Sequence, residues 1–281
     1  MSLTDAQWTR IEPLLPDRTP KRGGRWRDHR QVIDVIAYKY RTGMPWMDLP
    51  EHFGSWKGAH NRLRKWDADG TWEKVFNDLL AQADVEGDLD WVVAVDSTIV
   101  RAHQHAAGAR PKGAPAGEPD DHALGRPRGG LTTKIHLASD SRCRPLAFVI
   151  TPGQAGDAPA FPQVVIQLRV PRPTGRPKTT PEMVLADKAY SSRAIRTHLR
   201  RRGIRTVIPQ PSRQIAKRKR RGRSGGRPPA FDREAYKRRN TVERCINKLN
   251  QWRGLATRYD KTAIIYLAGL HVAAIFIWAA R

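Results

Sequence analysis

Apolar residues recur along the chain at two spacings, which divide it into a helical part and a mixed part. Up to residue 88 the apolar positions lie three and four residues apart, as on amphipathic helices. From Trp91 onward, short runs rich in β-branched residues predict strands that alternate with helical segments. The pattern therefore predicts an all-α domain over residues 1–88 and an α/β domain over residues 89–281.

The helical part contains a pattern typical of a helix-turn-helix. A short helix is predicted over 49–53, with Gly54 as the turn and Ser55 as the cap of a longer helix. The polar face of that longer helix carries side chains suited to base edges in the major groove. They are Lys57, Asn61, Arg62 and Arg64. A small helical bundle whose basic face is only solvated explains the same pattern, so both interpretations stay open here.

The segment WVVAVDSTIVR, residues 91–101, is predicted to be a buried strand that carries one carboxylate, Asp96. A buried carboxylate stays charged only if it is paired, hydrogen-bonded or bound to a metal. A second apolar run, MVLA, is followed in the same way by Asp187. The alternative for Asp96 is an aspartate that only turns the chain at the end of its strand.

Further elements separate and follow these two strands. They are a hairpin over 131–151, a helix over 157–168, a helix over 191–203, a strand over 206–209 and a long helix from Asp232 to at least Trp252. On the long helix Glu243 lies at the edge of the buried stripe. A helix packed on the sheet could therefore direct Glu243 toward the ends of the strands that carry Asp96 and Asp187.

This order of elements predicts an RNase H-like domain, with a mixed five-stranded sheet flanked by helices, preceded by the helix-turn-helix-like domain. Such a sheet gathers acids from two adjacent central strands and one late helix. Carboxylate oxygens are ligands for Mg²⁺ or Mn²⁺, and two such ions can activate the attacking oxygen and stabilise the leaving oxygen. Asp96, Asp187 and Glu243 are therefore predicted to hold two divalent ions.

The charge balance points to a polyanionic partner. The chain has 51 Lys and Arg against 27 Asp and Glu, a net charge of +24, while 39% hydrophobic residues suffice for a core. An Arg-rich surface drawn from a high-GC coding sequence could explain part of the excess, but not its clustering. Residues 106–130 and 212–231 are predicted to be exposed basic loops, the second lying on DNA phosphates. Its densest part is Lys217, Arg218, Lys219, Arg220 and Arg221.

The remaining composition favours a protein of a reducing cytoplasm. Cys143 and Cys245 lie far apart without zinc-type spacing, and the N-terminus lacks the pattern of a signal peptide. The apolar stretch 263–280 approaches the length of a membrane span, but Gly269 and His271 interrupt it. A helix buried on all sides is expected, with a tail anchor as the alternative, so no membrane association is predicted.

Several long motifs in this order resemble a transposase of the IS5 family, within the wider IS4-like DDE group. They are LTDAQWTRIEPLLP, RTGMPWMDLPEHFGSW, DGTWEKV, VDSTIVRAHQHAAGA, GGLTTKIHLASD, TPGQAGDAPAF, LADKAYSS and YKRRNTVERCINKLNQWRGLATRYDK. The resemblance covers the chain almost from end to end. It implies that Asp96, Asp187 and Glu243 are the catalytic, metal-binding triad.

The resemblance also implies a phosphate-gripping signature of Tyr, Arg, Glu and Lys on the last helix of the site. Tyr236, Arg239 and Glu243 match its first three members, but Asn250 stands where the Lys is expected. Arg253, nearly one helical turn on, is the residue expected to compensate.

A transposase of this kind binds the terminal inverted repeats of its element and the target DNA, as a homodimer or higher oligomer. It is expected to cleave and transfer strands by metal-dependent transesterification in the bacterial cytoplasm, at the nucleoid. One alternative is a catalytically impaired end-binding protein or repressor from a decayed element, which Asn250 favours. A basic RNA-binding protein would explain the charge but not the three acids.

Overall fold

The computed structural model describes residues 2–19, 26–108 and 116–281. The helices are α1 Asp5–Ile11, α2 His29–Thr42, α3 Trp56–Ala68, α4 Thr71–Val85, α5 Asp157–Gln167, α6 Arg193–Arg201, α7 Ser212–Arg220, α8 Arg233–Lys237, α9 Asn240–Asn250, α10 Arg253–Ala256 and α11 Ala263–Ala279. The strands are β1 Val92–Ala102, β2 Thr132–Ser139, β3 Pro145–Pro152, β4 Met183–Ala186, β5 Arg205–Val207 and β6 Thr257–Arg258.

The strands form one mixed sheet in the order β3-β2-β1-β4-β5. The central strand β1 is antiparallel to β2 and parallel to β4, and β4 is parallel to β5. This is the RNase H-like arrangement that the order of elements predicts. The prediction of five strands was one short, because the two-residue strand β6 pairs with Arg101 and Ala102 at the end of β1.

Helices cover both faces of the sheet. Successive side chains of β1 point to opposite faces. Asp96 contacts Arg239, which directly precedes α9, while Ser97 contacts the first residue of α5. The α9 face and the α5 face of β1 are named accordingly below. Every residue of β2 is buried, as expected for a strand covered on both sides.

The helical region shares its packing with the end of the chain. Helix α11 packs against α3, α4 and β3, and most of its residues are buried. This agrees with the prediction of a helix buried on all sides. Among the helices of the described residues, none has the length and apolarity required to cross a membrane. The division at residues 88 and 89 stays a prediction.

The predicted first helix of the helix-turn-helix does not form over residues 49–53. The chain makes a single 3₁₀ turn there, Glu51–Phe53, before α3 begins. Pro50 directly precedes the turn and lacks a backbone N–H, and a residue before proline is disfavoured in helical geometry. The helix that precedes α3 and packs against it is instead the much longer α2.

The two predicted basic loops also differ from the expectation. The segment 212–231 remains exposed, but it begins with helix α7 and a 3₁₀ turn, Gly222–Gly225. Lys, Arg, Gln and Ala are strong helix formers, and the Gln214 amide anchors α7 by donating to Ser191 Oγ at 2.9 Å.

In the other predicted loop, residues 109–115 lie outside the described residues. The part after them is not simply exposed. The Glu118 side chain is 1% exposed and accepts hydrogen bonds from the N–H groups of Ala263 (2.6 Å) and Ile264 (3.1 Å), at the start of α11. This carboxylate therefore caps α11 and fixes the loop to it.

Candidate active site

The pairing of two central strands brings Asp96 and Asp187 together. The parallel register of β1 and β4 ends with Val95 opposite Ala186, and the next residue of the chain after each of them is an aspartate. Adjacent strands lie about 4.8 Å apart, so the two carboxylates start from neighbouring positions. The sequence suggested that Asp96 lies at the end of its strand. In the structure, β1 instead continues along β2 to Ala102.

Each aspartate is oriented by a backbone N–H close to it in the chain. Asp96 Oδ1 accepts from the N–H of Ser97 at 2.8 Å. Asp187 caps the 3₁₀ turn Lys188–Tyr190 and accepts from the N–H of Ala189 at 2.7 Å. Burial raises the pKa of Asp96, and the Ser97 N–H and the Arg239 guanidinium oppose that rise only in part.

Glu243 reaches the site through the first turn of α9. The long helix predicted from Asp232 to Trp252 is interrupted, because α8 ends at Lys237 and α9 begins at Asn240. Arg239 lies in this junction. Its guanidinium donates to Asp96 Oδ2 at 2.6 Å and to Glu243 Oε1 at 2.8 Å. The structure thus brings Asp96 and Glu243 together around one arginine.

Arg239 provides the cation between these acids in the structure. Within the described ranges, no group of three or more His, Cys, Asp or Glu side chains lies close enough together to hold a metal ion. The acids nevertheless offer carboxylate oxygens, which hard divalent cations prefer. Such an ion fits the donor set if Arg239 moves away from Asp96 and Glu243.

Tyr236 lies on the same side of the site. It is half-buried and packs against Phe231, with ring centroids 5.2 Å apart. Burial raises the pKa of its phenol. The charge of Arg239 opposes this rise, and the negative charges of Asp187, Asp96 and Glu243 add to it. Tyr236 therefore stays a neutral hydroxyl, able to donate a hydrogen bond beside the three acids.

The expected substitute for the missing lysine is not on the same helix. Asn250 is exposed and is the last residue of α9, and the chain turns at Trp252 before α10 begins at Arg253. The expectation that Arg253 continues the helical phase of Asn250 was therefore wrong. Lys248 bonds to the carbonyl oxygens of Arg142 (3.4 Å) and Cys143 (3.2 Å), away from the acids.

The predicted base-reading face of α3 is only partly available. Lys57, Asn61 and Arg64 are exposed. Arg62 is 8% exposed, bonds to His29 Nδ1 at 2.8 Å and lies over the Trp26 ring at 4.3 Å. Its prediction as a DNA contact was wrong, because its guanidinium is enclosed by side chains of the fold.

A polar network on the α5 face of β1 was missed from the sequence. Asp157 Oδ1 accepts from Ser97 Oγ at 2.7 Å and from Lys134 Nζ at 3.0 Å. Asp157 was interpreted only as the start of a helix. The available signal was alternation, which places Ser97 and its cross-strand partner His136 on the same face of the sheet.

Two family descriptions match the chain. Residues 3–76 match a "putative transposase of IS4/5 family", and residues 87–277 match a "transposase DDE domain". The chain is also similar to a putative transposase for insertion sequence element IS402 of Burkholderia cepacia. That match is 31% identical over 160 residues and covers 54% of this chain and 68% of the relative.

The chain is similar to further proteins of bacteria. A putative transposase for IS6501 of Brucella ovis is 27% identical over 150 residues, covering 53% of this chain and 98% of the relative. An uncharacterized protein of Sinorhizobium fredii is 41% identical over 108 residues, covering 38% of this chain and 82% of that protein.

Among solved structures, a Mos1 transposase paired-end complex overlaps 87% of this chain and 85% of its own, at 16% identity and a TM-score of 0.25. This similarity is too weak to identify the family or the site. The match to the DDE domain, in contrast, spans most of the chain, including Asp96, Asp187 and Glu243. The chain therefore belongs to the DDE transposases, as an enzyme of the IS4/IS5 type encoded by an insertion sequence.

Proposed function

We propose that this enzyme is a transposase of the IS5 group whose catalytic triad is Asp96, Asp187 and Glu243. The observation that carries the proposal is the β1–β4 register, which ends with Val95 opposite Ala186, one residue before each of the two aspartates. Glu243 joins them through Arg239, which bonds to both Glu243 and Asp96.

The triad would hold Mg²⁺ or Mn²⁺, two ions per active site, because carboxylates from two strands and one helix form a hard oxygen donor set. The ions supply Lewis acidity toward the attacking and leaving oxygens of the phosphodiester. The backbone N–H groups of Ser97 and Ala189 orient the two aspartates. Tyr236 and Arg239 would grip a phosphate of the element end.

The DNA partners are the terminal inverted repeats of the element and the target duplex, bound by a homodimer or higher oligomer in the bacterial cytoplasm, at the nucleoid. The exposed residues Lys57, Asn61 and Arg64 of the helical domain, residues 1–88, would read base edges. Helix α7 and the turn after it would lie on phosphates through Lys217, Arg218, Lys219, Arg220 and Arg221, and Asn250 and Arg253 would lie near the cleaved end.

Substitution of the triad tests the proposal. Asp96→Asn, Asp187→Asn and Glu243→Gln should each abolish cleavage of labelled element ends in Mg²⁺ while end binding stays near the wild-type level. Glu234→Gln is the control, since its carboxylate is 79% exposed on the neighbouring helix α8. Cleavage near the wild-type rate in any one triad variant would contradict the assignment.

A catalytically impaired end-binding protein is the second candidate, favoured by the exposed Asn250 and by the placement of Arg253 on another helix. A lysine at position 250 would add a charge-assisted phosphate contact, worth about 1 kcal/mol more than a neutral one. Asn250→Lys should therefore raise the end-cleavage rate by about fivefold at matched salt. An unchanged or lower rate would mean that the site operates with asparagine.

A further inference from the structure

A three-residue network lies directly behind Asp96, on the α5 face of β1. Asp157 Oδ1 accepts from Ser97 Oγ at 2.7 Å and from Lys134 Nζ at 3.0 Å. Lys134 also donates to the Ala155 carbonyl at 2.6 Å. The network thus ties together β1, β2 and the first turn of α5.

One charge of this network, that of Lys134, is buried, and the other, that of Asp157, is half-buried. The side chain of Lys134 is 10% exposed and that of Asp157 is 29% exposed. Burial alone would raise the pKa of Asp157, but the hydrogen bonds from Ser97 and Lys134 outweigh it and leave the pKa lowered. Neither exposed nor buried ion pairs add much net stability on average. The main contribution of the Asp157–Lys134 pair is therefore to fix the relative positions of β2 and α5.

Ser97 connects the network to the active site. Its side chain donates to Asp157, while its backbone N–H donates to Asp96 Oδ1 at 2.8 Å. Any shift of Ser97 displaces the donor that orients Asp96. The same helix also supports the second aspartate, because Phe161 of α5 packs on Tyr190, in the turn that Asp187 caps, with ring centroids 5.7 Å apart.

We propose that Asp157 is a positioning residue of the strand-cleavage reaction, acting through Ser97 on Asp96, with Lys134 as its buried counter-charge. This inference rests on the proposed triad. Asp157 holds the backbone of β1 so that the Asp96 carboxylate presents a fixed oxygen to the metal side of the site. The carboxylate of Asp157 itself remains on the opposite face of the sheet.

Three variants test the connection. Asp157→Asn and Ser97→Ala should each lower the cleavage rate at saturating end DNA by about tenfold to a hundredfold, because small misplacements of reacting groups carry costs of that size. The Mg²⁺ concentration for half-maximal cleavage should rise, and affinity for end DNA should stay unchanged. Ser97→Thr, which keeps the hydroxyl, should restore both the rate and the Mg²⁺ dependence.

The matched control is an Asp–Lys pair that is buried more deeply. Asp260 pairs with Lys39 at 3.4 Å, with side chains 8% and 4% exposed. Asp260→Asn should lower the melting temperature without altering the Mg²⁺ dependence of cleavage. If Asp157→Asn and Ser97→Ala match this control in both rate and Mg²⁺ dependence, the positioning role is wrong.

Binding of Mn²⁺ to the complex with end DNA, followed by electron paramagnetic resonance, gives a readout apart from activity. Asp157→Asn should weaken that binding, and Asp260→Asn should not. If the triad variants lose cleavage while Asp157→Asn behaves like wild type, this inference is overturned and the proposed function stands. If the triad variants cleave like wild type, the proposed function fails, and this inference, which rests on it, fails with it.

Discussion

Strand β1 presents two neighbouring residues, Asp96 and Ser97, to opposite faces of the sheet, and each face pairs carboxylate with cation differently. On the α5 face Lys134 extends from the middle of a buried strand and also bonds to the Ala155 carbonyl. On the α9 face Arg239 lies in a junction between two short helices. The first cation is fixed by several groups of the scaffold.

The second cation is held by the acids themselves. Both terminal nitrogens of Arg239 bond to acids, Asp96 and Glu243, and its Nε has no hydrogen-bond partner among the residues that the structure describes. Asp96 and Glu243 thus share one guanidinium. From this difference we infer that the α5 face is a permanent support, whereas another cation can replace Arg239 on the α9 face.

Arg239→Gln gives the largest expected effect on this comparison. Loss of the proposed phosphate grip should lower end cleavage on the order of a hundredfold, as for other groups that stabilise transition-state charge. The same change removes a cation that competes for Asp96 and Glu243. The affinity of the DNA-free protein for Mn²⁺ should therefore rise, by about tenfold, or 1.4 kcal/mol.

The control for this experiment is Arg238→Gln, because Arg238 is an exposed residue of the same junction. This substitution should leave the Mn²⁺ affinity, measured by titration calorimetry, unchanged. It should alter the cleavage rate by no more than a few fold. An unchanged Mn²⁺ affinity in Arg239→Gln would show that the arginine does not compete with the metal, and the contrast between the two faces would be lost.

The sequence predicted the α9 face far better than the α5 face. Asp96 and Asp187 both follow short apolar runs, so strand periodicity together with the order of elements predicts them on adjacent strands, as β1 and β4 are in the structure. The contact between Ser97 and Asp157 joins residues 60 positions apart and has no local pattern. It depends on how α5 docks on the sheet, which periodicity does not encode.

Other errors have the same origin in tertiary contacts. Helical spacing groups Arg62 with Lys57, Asn61 and Arg64, but it does not indicate which of them α2 covers. Arg62 is the enclosed one, beside His29. The break before α9 occurs without glycine or proline, so no breaker marks it in the sequence. Arg239, in that break, bonds to Asp96, 143 positions away.

The smallest expected effect concerns the acid stability of the α5 face. His136 lies across from Ser97, is fully buried and bonds through Nε2 to Thr151 Oγ1 at 2.9 Å. Burial lowers the pKa of its imidazole from 6.5 to about 4, with Asp157 opposing the shift and Lys134 adding to it. The folded protein therefore holds His136 neutral where the unfolded chain would protonate it.

Because the folded-state pKa is the lower one, protonation favours the unfolded chain. The contribution of His136 is complete above about pH 6.5 and is lost as the pH falls toward about 4, at up to about 1.4 kcal/mol per pH unit. His136→Gln should reduce the dependence of the free energy of unfolding on pH in that window, measured by urea denaturation at several pH values. His271, whose pKa is also lowered to about 4 by burial, is present in both proteins, so the difference between them reports His136. Equal pH dependence in the two proteins would show that water reaches the α5 face. The α5 face would then not be a closed support, and the contrast with the α9 face would be lost.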